Sequence, residues 1–203
     1  MVQNFLVLFL CVTALVFAQA NAPDPSYYVN NRQRFDAYIF RTYTDPAKLG
    51  WLLVDSAQET WLSDPYPWDR SPGSYYCRVA SGWGRRIVSN TAQFGFEAVL
   101  HEDSRYRPST ARGFRKRFLF AIGHSVIAYG PDGSVGPAYG RMAAGVVATA
   151  TSSTWHPQSI TAGSLMSGVG QSTLDRAASN LLNEFAPDLK AFGKKRWDRF
   201  RKK

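Results

Sequence analysis

The densest group of reactive side chains in the chain is His101-Glu102-Asp103-Ser104-Arg105-Tyr106. An imidazole beside two carboxylates can ligate a divalent cation, or can supply a general base together with the group that orients it. Both chemistries need side chains that converge, and consecutive residues diverge. The run is not His-Glu-x-x-His, and only His124 and His156 remain as further nitrogen ligands. The alternative is structural: Asp103 or Glu102 pairs with Arg105 or Arg107 and fixes the loop that follows a helix. We expect that structural role, with His101, Glu102 and Asp103 as the catalytic candidates of a rival reading, a hydrolase or metal-dependent enzyme. A second histidine or carboxylate converging on His101 is what that rival requires.

Other motifs carry less. Gly123-His124-Ser125 has the first half of a nucleophile elbow, but the second glycine would stand at Ile127, and without it the backbone cannot make the tight strand-to-helix turn. His124 is expected in the core or at an interface. Gly168-Val169-Gly170 lacks the third glycine and the preceding strand of a dinucleotide loop. Cys77 has no base nearby in sequence to activate it and is expected to be structural. No motif calls for a cofactor or a bound metal.

Trp83-Gly84-x-Arg86, then His101-Glu102-Asp103-x-Arg105-Tyr106, then Trp155-x-Pro157 resembles a family of uncharacterised exported helical proteins of acidobacteria over residues 75–187. That family's pattern has Pro where Ser104 stands here. The resemblance implies export and a Gly- and Ala-rich helical fold, and it brings no reaction or cofactor.

The N-terminus points to export independently. Met1 to Ala22 carry no charged side chain, and Phe5 to Phe17 form a nearly unbroken apolar run of thirteen residues. That length falls short of the roughly 20 residues that span a bilayer but suits the apolar core of a secretory signal. Ala18-Gln19-Ala20-Asn21-Ala22 follows with two small-x-small sites, of which cleavage after Ala20 is preferred because the alternative leaves Pro23 as the first mature residue. Residues 1–20 are therefore expected to be a cleaved signal peptide. Cys11 would leave with it, so Cys77 would be the only mature cysteine and packing rather than a disulfide must hold the fold.

About 180 residues then remain, enough for one domain with a core of its own. We expect an all-α fold, a single Gly/Ala-rich helical bundle. Its parts would be an extended lead-in and short helix over 21–45, a helical domain over 46–187 and a basic amphipathic tail over 188–203. Asp45-Pro46 begins a helix, with Leu49, Leu52, Leu53, Ala57 and Trp61 on its inner face to residue 62. Prolines make 63–73 a loop. A second helix spans 75–100 with Trp83, Ile87, Phe94 and Ala98 inward. Phe114–Tyr129 is read as helix, in preference to an edge strand turning at Gly130-Pro131-Asp132-Gly133. Over 137–154, Gly140, Ala144, Ala148 and Ser152 recur every four residues beside Gly145 and Thr149, a row that lets another backbone approach closely. Its partner should be the helix over 159–185, with Ala162, Met166, Val169, Ala177 and Leu181 inward and Pro187 ending it.

The charge is uneven. Residues 188–203 hold eight basic side chains against two acidic ones, which places +6 of the net +9 in the tail and leaves +3 elsewhere. Leu189, Phe192, Trp197 and Phe200 fall within about 140° of one helical face, with Lys194, Lys195, Arg199 and Lys202 largely elsewhere. Such a helix can lie in a membrane interface, and Lys194, Lys195, Arg196, Trp197, Arg199 and Phe200 are the expected contacts. The partner expected from these features is an anionic membrane or envelope surface, in the periplasm or outer envelope. An exported protein rarely meets nucleic acid, which is not expected as a partner, and nothing in the sequence fixes an oligomeric state. A third class, a bundle binding an apolar ligand, would require a cavity lined by Trp and Phe.

Overall fold

The computed structural model describes residues 30–62, 68–155 and 159–201, with the backbone alone for Ala47, Lys195, Arg196, Asp198, Arg199 and Phe200. The expected signal segment, most of the expected lead-in, residues 63–67 of the expected loop, His156, Pro157, Lys202 and Lys203 lie outside the described residues. Among the described residues the fold is all-α apart from one small hairpin. Helix α1 (Asn31–Ile39) widens into a π turn (Phe40–Thr44), followed by α2 (Pro46–Leu62), α3 (Pro72–Val99) and α4 (Phe114–Gly123). Strands β1 (Ile127–Tyr129) and β2 (Val135–Pro137) precede α5 (Tyr139–Ser152) and α6 (Ala162–Arg201).

Local chemistry sets the helix starts. Asp45 accepts from the Lys48 N–H at 3.3 Å and opens α2. Ser71 accepts from the Ser74 N–H at 3.2 Å, with Pro72 in the first turn, so α3 begins before the residue 75 expected from its periodicity. At its other end α3 closes in a Schellman arrangement, with the Glu102 N–H on the Glu97 carbonyl at 3.0 Å and His101 left-handed at φ 56°.

The small-residue row does bring backbones together. Gly140, Ala144, Gly145, Ala148, Thr149 and Ser152 are all buried. Helix α5 lies chiefly along α3, and on its other side meets α6, the partner expected. At the α6 contact, a Cβ on Gly145 would sit 3.3 Å from Val169 Cα, and one on Gly168 would sit 1.8 Å from Thr149 Oγ1.

Three expectations are corrected. Phe114–Tyr129 divides: the helix stops at Gly123, and Ile127–Tyr129 turns through Gly130-Pro131-Asp132-Gly133 to pair antiparallel with Val135–Pro137. Tyr129 also exchanges both backbone hydrogen bonds with Asp103, at 2.8 and 2.9 Å, so the short strand is paired on two sides. That pairing is the non-local gain that helical periodicity could not register. Pro187, second, does not end α6, which runs on to Arg201. The bond lost at Pro187 would have gone to the carbonyl of exposed Asn183, which water can satisfy, and Arg117 splints the helix by bonding Glu184 on one side and Asp188 on the other.

Third, the inner faces are apolar only in part: Leu49, Leu52, Ile87, Phe94, Val169 and Leu181 are half-buried, while Leu53, Trp61, Trp83 and Met166 are exposed. Trp61 is 77% exposed and Met166 is 63% exposed, although periodicity placed both inward. Helices α2, α3 and α6 instead bury Ser56, Arg78, Gln93, Glu97, Asn180 and Glu184. Helix backbones this close leave room for small side chains and for polar groups that bond across the gap, and little for indole rings.

The glycines of α6 test this packing. Gly168→Ala should destabilise the fold by about 1–3 kcal/mol through overpacking, against a helix-propensity gain of up to about 1 kcal/mol. Gly170→Ala, where a Cβ meets nothing within 4 Å, should show the propensity gain alone. Opposite shifts of the two melting temperatures are the expected result.

Candidate functional site

Residues 102–113 leave α3 as a strap with no helix of its own and cross to α4. The structure separates the three candidates at its start. His101 is exposed and its side chain makes no hydrogen bond among the described residues; its left-handed backbone is what the helix end requires. Glu102 accepts from the Gly140 N–H at 2.9 Å, and burial raises its pKa against the lowering effect of that bond. Asp103 is buried and pairs with Arg105 at 3.1 Å and with Arg107 at 2.9 Å. The expected Asp103–Arg105 pairing is present, and Arg107 goes to Asp103 rather than to Glu102. Among the described residues, no three His, Cys, Asp or Glu side chains gather where they could hold a metal ion.

Sequence reasoning missed the two residues that hold the strap down. Arg141 on α5 is buried, and its guanidinium donates to the Ser104 carbonyl of the strap and to the His124 and Ser125 carbonyls beyond α4. Burial lowers its pKa to about 10, so the side chain stays cationic at neutral pH. Next to it, Glu97 accepts from Gln93 and from the Ser104 hydroxyl, while Arg176 of α6 donates to Gln93 Oε1 at 3.2 Å. The second holdfast is Glu184 on α6. It accepts from Tyr106 Oη, from the Ser109 N–H at 2.8 Å and from Arg117 Nε at 2.7 Å. Burial alone would raise its pKa; the three donors outweigh burial and the pKa falls. A signal for Glu184 existed: it stands three residues beyond Leu181, on the face periodicity marks as inward. Arg141 stood beside the small-residue row with nothing local to show that it is buried.

Gly123-His124-Ser125 is a helix-to-strand turn, the reverse of a nucleophile elbow, and the Ser125 hydroxyl donates to the Ile122 carbonyl at 2.7 Å. His124 is buried against Phe120, Tyr106 and Tyr129. Its Nδ1 lies 3.2 Å from the Phe120 carbonyl, which can only accept, so Nδ1 carries the proton. Nε2 then accepts from Tyr129 Oη at 2.6 Å. Cys77 is a free, exposed thiol. A cleft of about 440 Å³ opens between the strap and α6, lined by Ser109, Arg112, Arg117, Asn183, Glu184 and Pro187 among others, with no Trp or Phe. Gly168-Val169-Gly170 lies inside α6.

Comparison with protein-family models, curated proteins and solved structures finds no match.

His124 makes the fold sensitive to acid. Burial holds its pKa at about 4, against 6.5 for a free imidazole. The unfolded chain therefore takes up the proton first, and stability is lost as pH falls from about 6.5 to about 4. The loss is on the order of 3 kcal/mol, with no contribution from His124 above that window. His124→Gln, which can donate to Phe120 and accept from Tyr129, should flatten this limb in urea melts recorded across the window.

Proposed function

We propose that the protein is an exported, non-enzymatic helical protein that rests against an anionic membrane or envelope surface through the end of α6. The observation that carries this reading is the course of that helix past the domain. From Pro187 to Lys194 every residue is exposed, and the helix continues to Arg201, a projection of about 20 Å beyond Asp188 at 1.5 Å per residue. Leu189, Phe192 and Trp197 are 58%, 64% and 70% exposed. The side chains of Lys195, Arg196, Arg199 and Phe200 lie outside the described residues, so their part rests on sequence and helix register. No helix among the described residues is long and apolar enough to cross a membrane, and the contact proposed is with a surface.

Export rests on the uncharged apolar N-terminus, and the resemblance to exported acidobacterial proteins implies the same. Sequencing the N-terminus of the purified protein should start at Asn21; an intact Met1 on a cytosolic product would overturn the localisation. At the His101 loop, Glu102 and Asp103 are engaged by a backbone amide and by two arginines, and this supports the non-enzymatic reading.

Because Arg117 bonds Asp188, the tail is best removed after that residue. The chain ending at Asp188 should keep its fold and lose most of its binding to anionic vesicles. In the full chain binding should weaken with salt, each basic residue near the surface contributing about 1 kcal/mol. Equal binding of the two forms would rule the tail out.

A further inference from the structure

The pole of the domain from which the tail leaves carries its own set of unengaged cations. Residues 105–117 contain six basic side chains and no acidic one. Arg105 and Arg107 are tied to Asp103, and Arg117 to Glu184 and Asp188. Arg112, Arg115 and Lys116 are exposed and have neither an ion pair nor a hydrogen bond among the described residues. Between them stands Phe114, 69% exposed although its ring lies 5.1 Å from that of Phe185.

Helix register puts this group at the base of the tail. Phe114 meets Phe185, Arg117 meets Glu184 and Asp188, and further along α4 the Ala121 carbonyl accepts from Asn180 at 3.0 Å. The two helices are therefore antiparallel, and α4 begins where α6 emerges. Arg117 bonds Asp188 at 2.7 Å, one residue before exposed Leu189 and two before Lys190. Cations at the start of α4 and cations along the tail thus occupy one end of the molecule.

We infer that the membrane-facing surface is composite: Arg112, Phe114, Arg115 and Lys116 dock on an anionic bilayer together with the α6 tail. The inference rests on the surface reading above and extends it. The occupant follows from charge complementarity and from the mixture of side chains. Three cations held near one another, with no ion pair among the described residues, are matched by a dense layer of acidic headgroups. A single exposed aromatic ring among them gains by entering the boundary between headgroups and acyl chains.

The test is flotation of the protein with vesicles of phosphatidylglycerol and phosphatidylcholine, and with phosphatidylcholine alone. Four forms are compared: the parent, the triple variant Arg112→Gln/Arg115→Gln/Lys116→Gln, the chain ending at Asp188, and the two changes combined. Circular dichroism melts establish that each is folded. The triple variant should bind the anionic vesicles roughly tenfold to a hundredfold more weakly than the parent, at about 1 kcal/mol for each cation that reaches the surface. The truncated chain should retain weak, salt-sensitive binding that the combined variant loses. Arg112→Lys/Arg115→Lys, which keeps the charge, should bind as the parent does.

A triple variant that binds like the parent overturns this inference and leaves the tail reading standing. Loss of binding in the triple variant with none on truncation overturns the tail reading and leaves the pole. A parent that floats with neither vesicle, or that binds duplex DNA in preference to anionic lipid, overturns both.

Discussion

A single buried carboxylate, Glu184, joins the parts of the molecule that matter for its outward face. Three donors from two other segments reach it: the Tyr106 hydroxyl and the Ser109 amide from the strap, and the Arg117 guanidinium from α4. A carboxylate removed from water is costly unless it is bonded and matched by opposite charge, and here both conditions are met. Because the bonds come from different places in the chain, satisfying Glu184 also fixes where those places lie. The strap is held down, α4 is set antiparallel to α6, and α6 is bonded on both sides of the proline through which it continues. Arg117 completes the arrangement by lying 4.7 Å over the ring of Phe185.

The interior follows a related logic. Glycine and alanine along α5 let it approach α3 and α6 so closely that the space between helices is narrow. Into that space the protein puts polar groups with short reach to one another and to backbone carbonyls, among them Gln93, Glu97, Ser104 and Arg141. Hydrogen bonding across close backbones takes much of the part that aliphatic side chains play in a wider bundle. Large apolar residues of the domain stand outside that space: Trp51, Trp61 and Phe114 are each more than half exposed.

Function on this account resides in what the fold leaves unengaged. Within the strap, Asp103, Tyr106 and Ser104 are used up in holding the strap itself. Arg112, Arg115 and Lys116 at the start of α4 have no ion pair or hydrogen bond among the described residues, and α6 runs on from Asp188 with Leu189 to Lys194 exposed.

Helical periodicity, caps and turn residues were local, and the sequence by itself determined what depends on them. Asp45-Pro46 and Leu62 bound α2, and the four-residue recurrence of Gly140, Ala144 and Ala148 marks a close helix contact, while the Ser71-Pro72 start of α3, also local, lay within the stretch read as a loop. The contrast between a basic aromatic tail and a nearly neutral remainder was also open to direct reading. Tertiary structure decided the rest, because the deciding partners are far apart in the chain. Asp103 lies 26 residues from Tyr129, whose pairing turned an expected helix end into a strand. Glu184 lies 67 residues from Arg117 and 78 from Tyr106, so neither the path of α6 through Pro187 nor the grip on the strap could be seen locally. Burial of charge was legible only in part: Glu184 falls on the inward face of its helix, but nothing local marks Arg141 as buried, because the carbonyls it bonds come from distant segments.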